Sequence, residues 1–240
     1  MCYNTPMSKH SDACALLPDA VIFDLDGTLW DTCSACAVAW NRVLARNGIS
    51  FRTITDQDVR SVAGLPHERC IRQVFAELSE PEQCLLIEQT QHEDNLAVAE
   101  LGGAVYGGVP EGLSELCAHA ALCIVSNCQA GYIETFFACT GLRSLFRDFE
   151  CWGNTGASKA ENLRRVITRN GFVTPWFVGD TPGDQAAAQH CGVPFVHVSY
   201  GFGACPDALL SAASFGELSS LLRSRPRSNA TNRERSKLRS

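Results

Sequence analysis

The 240-residue sequence has no long apolar run. Its best, at residues 20–23 and 121–125, fall far short of the ~20 residues a membrane-spanning helix requires, so no spanning helix is expected. The first ten residues have none of the apolar stretch of a secretory signal. Basic side chains are scarce except at the far end. From residue 223 onward there are seven Lys/Arg against one Glu, and the remaining 222 residues carry 13 basic against 25 acidic side chains. Such a body has no clustered Lys/Arg for a phosphate backbone, which argues against nucleic acid as the main partner. Taken alone, it also argues against anionic substrates. With 45% hydrophobic and 19% charged residues, disorder throughout is excluded.

Cysteine, by contrast, is plentiful: 13, an odd number, spread along the chain and placed within apolar segments at Cys117, Cys123 and Cys139. A disulfide framework belongs to short secreted chains with regularly spaced pairs. Reduced thiols in a cytoplasmic protein are expected instead. Cys33-x-x-Cys36 invites a zinc or redox reading. No second ligand pair has suitable spacing for zinc, and a thioredoxin-like role would want the pair at the start of a helix directly after a strand. With so many cysteines the spacing is read as chance, though thiols beside a reactive site would be open to oxidation.

Short apolar runs at residues 20–25, 121–126, 176–179 and 194–199 suit parallel strands covered on both faces, with 149–152 a weaker fifth. Helical patterns at 110–118, 129–139, 158–170 and 182–191 separate them, the last two stopped by Asn170-Gly171 and Cys191-Gly192. Strands alternating with helices predict an α/β fold, a doubly wound, Rossmann-like parallel sheet. The rhythm breaks at 33–102, which reads as four helices (33–47, 56–62, 67–78 and 81–101). That is too long for an ordinary βα connection. It is predicted to be an inserted helical cap, with Gly102, Gly103, Gly107 and Gly108 as a hinge at its return. The organisation expected is a loose leader (1–18), an α/β core (19–32 and 103–222), the cap (33–102) and a basic disordered tail (223–240).

Ligands of doubly wound sheets bind outside the carboxyl ends of the strands. Those ends carry Asp24-Leu25-Asp26-Gly27-Thr28, Ser126-Asn127 and Gly179-Asp180, with Asp184 one turn further and Lys159 opening the helix before the fourth strand. Asp24, Asp26 and Asp180 would repel one another if they converged without a cation. Hard oxygen ligands select Mg²⁺ or Ca²⁺, and Mg²⁺ typically combines one or two carboxylates with waters and a substrate phosphate. Gly27 and Thr28 offer backbone N–H groups to an anion, Ser126 a hydroxyl and Lys159 a charge. Together these groups suit phosphoryl transfer, with a carboxylate as nucleophile.

Residues 21–29 (VIFDLDGTL), 124–127 (IVSN), Lys159 and 178–184 (VGDTPGD) resemble, in order and spacing, the four signatures of the haloacid dehalogenase superfamily. The resemblance covers about residues 19–222, and the long first gap matches the subfamily with a helical cap. It implies a phosphatase acting on a small phosphorylated metabolite through an aspartyl-phosphate. Asp24 would be the nucleophile and Asp26 the acid and base. Mg²⁺ would be held by Asp24, the Asp26 backbone carbonyl and Asp180, with Asp184 supporting it. Ser126, Asn127, Lys159, Gly27 and Thr28 would hold the phosphoryl group. The segment Gly64-Leu65-Pro66 before a helix resembles phosphoglycolate phosphatase-like members, and makes His67 and Arg69 candidates for the substrate's other end. Sugar phosphates and nucleotides stay open as substrates.

Asp26 sets the chain apart from the family's true dehalogenases, which lack that acid. The absence of lysine between Asp31 and Gly108 excludes a cap Schiff base. Capped sugar phosphomutases place a His before an Ala-Trp pair; here Ala39-Trp40 is present but Cys36 stands in its place. A phosphomutase, or a non-catalytic binding protein that kept the fold, are the alternative readings. The bland readings are a helix cap for Ser126, a first-turn acid for Asp184, a surface lysine for Lys159, solvated positions for His67 and Arg69, and packing for Trp30 and Trp40.

Overall fold

A computed structural model of the chain describes residues 17–223. Most of the expected leader and basic tail therefore lies outside the described residues. The chain opens with β1 (Ala20–Phe23) and the short β2 (Trp30–Asp31). Four helices follow: α1 (Cys33–Arg46), α2 (Asp56–Arg60), α3 (His67–Val74) and α4 (Glu80–Leu101). The short β3 (Ala104–Val105) pairs antiparallel with β2, Trp30 opposite Val105, so one ribbon carries both chain passages between sheet and helices. Beyond it come α5 (Val109–Leu116), β4 (Ala121–Ser126), α6 (Tyr132–Thr140), β5 (Phe146–Cys151), the short α7 (Trp152–Thr155), α8 (Lys159–Asn170), β6 (Pro175–Gly179), α9 (Pro182–Cys191), β7 (Phe195–Val198), β8 (Ser211–Ala212) and α10 (Phe215–Arg223).

The main sheet has the order β5-β4-β1-β6-β7-β8, and every pair in it is parallel. Its centre is apolar on both faces. Val21, Phe23, Ile124 and Val178 face one layer of the core, while Ile22, Cys123, Val125 and Phe177 face another, built with Leu163, Val166, Ala187 and Ala188 of α8 and α9. That two-sided burial is why the strands read as continuous apolar runs.

The structure departs from expectation in a few places. β1 ends at Phe23 rather than at residue 25, because the Leu25 carbonyl accepts the N–H groups of Thr28 and Leu29 and curls the chain off the sheet. The weak strand expected at 149–152 begins earlier, at Phe146, and stops before Trp152. As an edge strand it mixes Arg147 and Asp148 with its apolar residues, which hid its start. β8 and α10 were not anticipated. β8 is two residues of Ser and Ala, and α10 is anchored by Phe215, whose ring stacks on Phe23 at 6.0 Å.

Candidate active site

The parallel register puts the ends of β1, β4 and β6 level. Phe23 lies beside Ile124 on one side and Val178 on the other, so Asp24, Ser126 and Asp180 emerge together at the carboxyl edge of the sheet. Asp24 stays tied to the sheet, its N–H donating to the Val178 carbonyl at 2.8 Å. Carboxylate oxygens of Asp24, Asp180 and Asp184 lie within 4.8 Å of one another, and all three residues are buried. Lys159, at the start of α8, reaches Asp24 at 2.9 Å and Asp184 at 2.6 Å.

The electrostatics follow from burial. Asp24 is pushed well above the ordinary carboxylate range by burial first and by the Asp184 charge next, with Lys159 pulling against them. Asp180 rises to about 7, again through burial and then Asp184. Burial alone would pull Lys159 down, but Asp184 and Asp24 more than offset it and keep it an ammonium. One ammonium against three buried carboxylates leaves negative charge uncompensated, and the donors are hard oxygens. The residues therefore fit a dication.

Each acid has its own support. The Asp180 carboxylate accepts from the Phe202 N–H at 2.7 Å and from the Thr28 hydroxyl at 3.4 Å. Gly27, at φ +82, and Gly201 let backbone pass against it: a Cβ on Gly27 would sit 2.2 Å from an Asp180 oxygen, and one on Gly201 2.3 Å from the Asp180 Cβ. Asp184 is held by Lys159 and by Thr181, whose N–H and hydroxyl donate to it at 2.9 and 2.6 Å. Fewer of its lone pairs are free than on Asp24, which suits a supporting position.

Asp26 points elsewhere. Its carboxyl takes contacts from the Tyr132 hydroxyl at 3.0 Å and the Thr32 hydroxyl at 3.2 Å, and those hydroxyls lie 2.6 Å from each other. Three contacts among two hydroxyls and a carboxylate are one proton short, and a proton on Asp26 completes the triangle. Burial raises Asp26 to about 6 against the pull of Tyr132 and then Thr32. Ser126 accepts from the Cys128 N–H at 3.3 Å, which leaves its own O–H to donate.

A cavity of about 80 Å³ joins these groups to the helices above, and Asp24, Asp26, Ser126 and Lys159 line it from the sheet side. From the helices come Trp40, His67, Cys70 and Asp94. His67 is buried, and desolvation lowers its ring to about 4. Arg69 is exposed on α3 and is not among the residues lining the cavity. Asn127 does line it, but its side-chain N–H donates to the Gly64 carbonyl at 2.8 Å, across to the helices. Gly27 and Thr28 stand behind Asp180 and are not among the lining residues either. Cys33 and Cys36 line the cavity as buried thiols whose deprotonation burial opposes. Among the described residues eleven cysteines are free thiols.

Thr32, Tyr132 and Asp94 were not anticipated. Thr32 and Tyr132 lie 100 residues apart in sequence, and nothing local marks either. Asp94 sits inside α4, whose sequence carries acids on several sides.

A family profile described as haloacid dehalogenase-like hydrolase matches residues 21–198. A phosphoglycolate phosphatase of Synechococcus elongatus is 30% identical over 207 residues, covering 81% of this chain and 93% of its own. Another phosphoglycolate phosphatase, from Rhodospirillum rubrum, is 30% identical over 225 residues, covering 85% and 90%. Among solved structures, a predicted phosphoglycolate phosphatase from Haemophilus somnus superposes with a TM-score of 0.74 at 19% identity, covering 85% of this chain and 97% of that one. No helix among the described residues is long and apolar enough to cross a membrane.

Proposed function

The chain belongs to the haloacid dehalogenase-like hydrolases, and from that premise we propose that it is a Mg²⁺-dependent phosphatase of a small phosphomonoester. The observation that carries this reading is the buried cluster of Asp24, Asp180 and Asp184 around Lys159, with Asp26 held apart from it. Asp24, Asp180 and the Asp26 backbone carbonyl would hold the ion, with Asp184 behind them. When bound, the ion supplies positive charge that lets a phosphate dianion enter an acidic site. That charge resolves the sequence's objection to anionic substrates.

The Asp24 oxygen not engaged by Lys159 attacks phosphorus and forms an aspartyl-phosphate. Asp26 donates its proton to the departing alcohol oxygen and then takes one from the water that hydrolyses the acyl phosphate. The Ser126 hydroxyl and the Lys159 ammonium donate to the transferring phosphoryl oxygens. Residues 33–102 act as the cap that closes over the substrate, the rest of the described chain as the catalytic core.

Turnover of 4-nitrophenyl phosphate tests this. Asp24→Asn should lower kcat by about 10⁴-fold or more, Asp26→Asn by about 10²–10⁴-fold, and chelation should stop the wild type, with Mg²⁺ restoring it. Activity that survives both chelation and Asp24→Asn rejects the mechanism.

A further inference from the structure

On the cap side of the cavity two buried polar atoms, the indole Nε1 of Trp40 and Oδ1 of Asp94, make no well-formed hydrogen bond, although the Trp40 N–H lies close enough to pull on the Asp94 carboxyl. Trp40 comes from α1 and Asp94 from α4, and they are 2% and 3% exposed. Each such atom is costly to leave unsatisfied.

The protonation of this corner can be worked out from its neighbours. The Thr90 hydroxyl donates to the Leu86 carbonyl at 2.6 Å. At its 2.9 Å contact with His67 it must therefore accept, which puts the ring proton on Nε2. His67 Nδ1 is then a bare acceptor, and it faces Asp94 Oδ2 at 3.4 Å. Two acceptors face to face require a proton between them, and a proton on Asp94 Oδ2 supplies it. Burial, the largest influence on Asp94, favours that protonated form, with the Trp40 N–H and the Cys36 thiol pulling against it. Oδ1 is left as a carbonyl-like acceptor, with the Trp40 N–H as the nearby donor.

We propose that Trp40 and Asp94 select the alcohol end of the substrate, and that this end carries a neutral hydroxyl, so that the substrate is a phosphorylated polyol or sugar rather than a phosphorylated carboxylic acid. This rests on the phosphatase reading and deepens it. A hydroxyl accepts from the Trp40 N–H and donates to Asp94 Oδ1 at once. A carboxylate cannot donate, and here it would set its lone pairs against those of Asp94 Oδ1. Among the described residues lining the cavity the one lysine or arginine is Lys159, already engaged by Asp24 and Asp184. An ammonium group cannot accept from Trp40. The selectivity therefore differs from what the names of the relatives describe.

Matched substrate pairs test it. 2-Hydroxyethyl phosphate is set against 2-phosphoglycolate, glycerol 3-phosphate against 3-phosphoglycerate, and erythritol 4-phosphate against 4-phosphoerythronate, with 4-nitrophenyl phosphate as reference. For at least one chain length, kcat/KM for the hydroxyl member should exceed that of the carboxylate by about tenfold or more. Trp40→Phe, which removes only the N–H donor, should cut that ratio several-fold. Asp94→Asn supplies an amide that can donate to a carboxylate, and should move the ratio the same way. Equal or reversed ratios in the wild type, with the aryl phosphate still turned over, overturn this inference alone. No turnover of any of these compounds with Mg²⁺ overturns the phosphatase reading and this inference with it.

Discussion

His67 and Asp94 together hold one proton when folded, and one when unfolded at mildly acidic pH, but on different residues. In the fold the carboxyl keeps it, and the ring, lowered from 6.5 to about 4, stays neutral. Unfolded, between about pH 4 and 6.5, the imidazole carries it and the carboxylate does not. The two proton counts match, so this pair gives stability no slope across that window. Asp94→Asn removes the compensation. His67, whose depressed value then stands alone, contributes stability that is present above pH 6.5 and lost as pH falls towards 4. Melting of the variant against wild type should show an extra loss over that window on the order of 2–3 kcal/mol. Parallel pH profiles for the two proteins would show that the ring is charged in the fold. Cys36 and Cys70, close by, have thiol values raised by burial and do not titrate there. This corner was illegible in sequence because its partners, at 40, 67, 90 and 94, meet only when α1, α3 and α4 pack. Asp24, Asp26 and Asp180 were legible because each follows an apolar strand, and parallel pairing makes strand ends coincide. Arg69, read from sequence beside His67, lies on the exposed side of the same helix.

At the level of elements, two helices begin with the same device put to different uses. α8 is capped by Ser158, whose hydroxyl accepts from the Glu161 N–H while Glu161 accepts from the Ser158 N–H at 3.0 Å. α9 is capped by Thr181 and Asp184 in the same reciprocal way. In α8 the box acid faces solvent; in α9 it is the buried acid that anchors Lys159. Ser158→Ala and Thr181→Ala should each cost about 1 kcal/mol of stability. Thr181→Ala should also raise the Mg²⁺ concentration for half-maximal activity, whereas Ser158→Ala should leave it unchanged. Titration of activity with Mg²⁺ at fixed substrate separates them, and identical curves would mean that Asp184 needs no help from its cap. The long helices and buried strands were readable because their periods are set by burial on one or two faces. Strand β8 and the early part of β5 were not: one is too short to have a period, and the other lies at an edge where one face is polar.

For the whole molecule, the question is what holds α1–α4, the proposed cap, against the sheet, since the ribbon of β2 and β3 is only two residues wide on each side. Several side chains bridge the gap. Asn127 donates to the Gly64 carbonyl, and Asn95 of α4 donates to the Ala130 carbonyl at 2.9 Å. Arg60 at the end of α2 is placed to do most. Its guanidinium donates to Asp31 in the ribbon and lies over the Phe202 ring, 4.8 Å from the centroid, while the Phe202 N–H holds Asp180. One side chain thus links α2, the ribbon and the loop that holds Asp180. The pair is partly solvated, so its worth to global stability is small, about 0–1 kcal/mol with a similar amount from the ring contact. That amount matters more to closure, because about 1 kcal/mol shifts an open–closed balance roughly fivefold. Arg60→Gln should therefore raise KM for small phosphomonoesters about two- to fivefold, with the melting temperature changed by no more than about 4 °C. Steady-state kinetics beside a melting curve decide it. An unchanged KM would show that closure rests on the amide bridges instead, and a large drop in melting temperature would make Arg60 a structural residue rather than a latch.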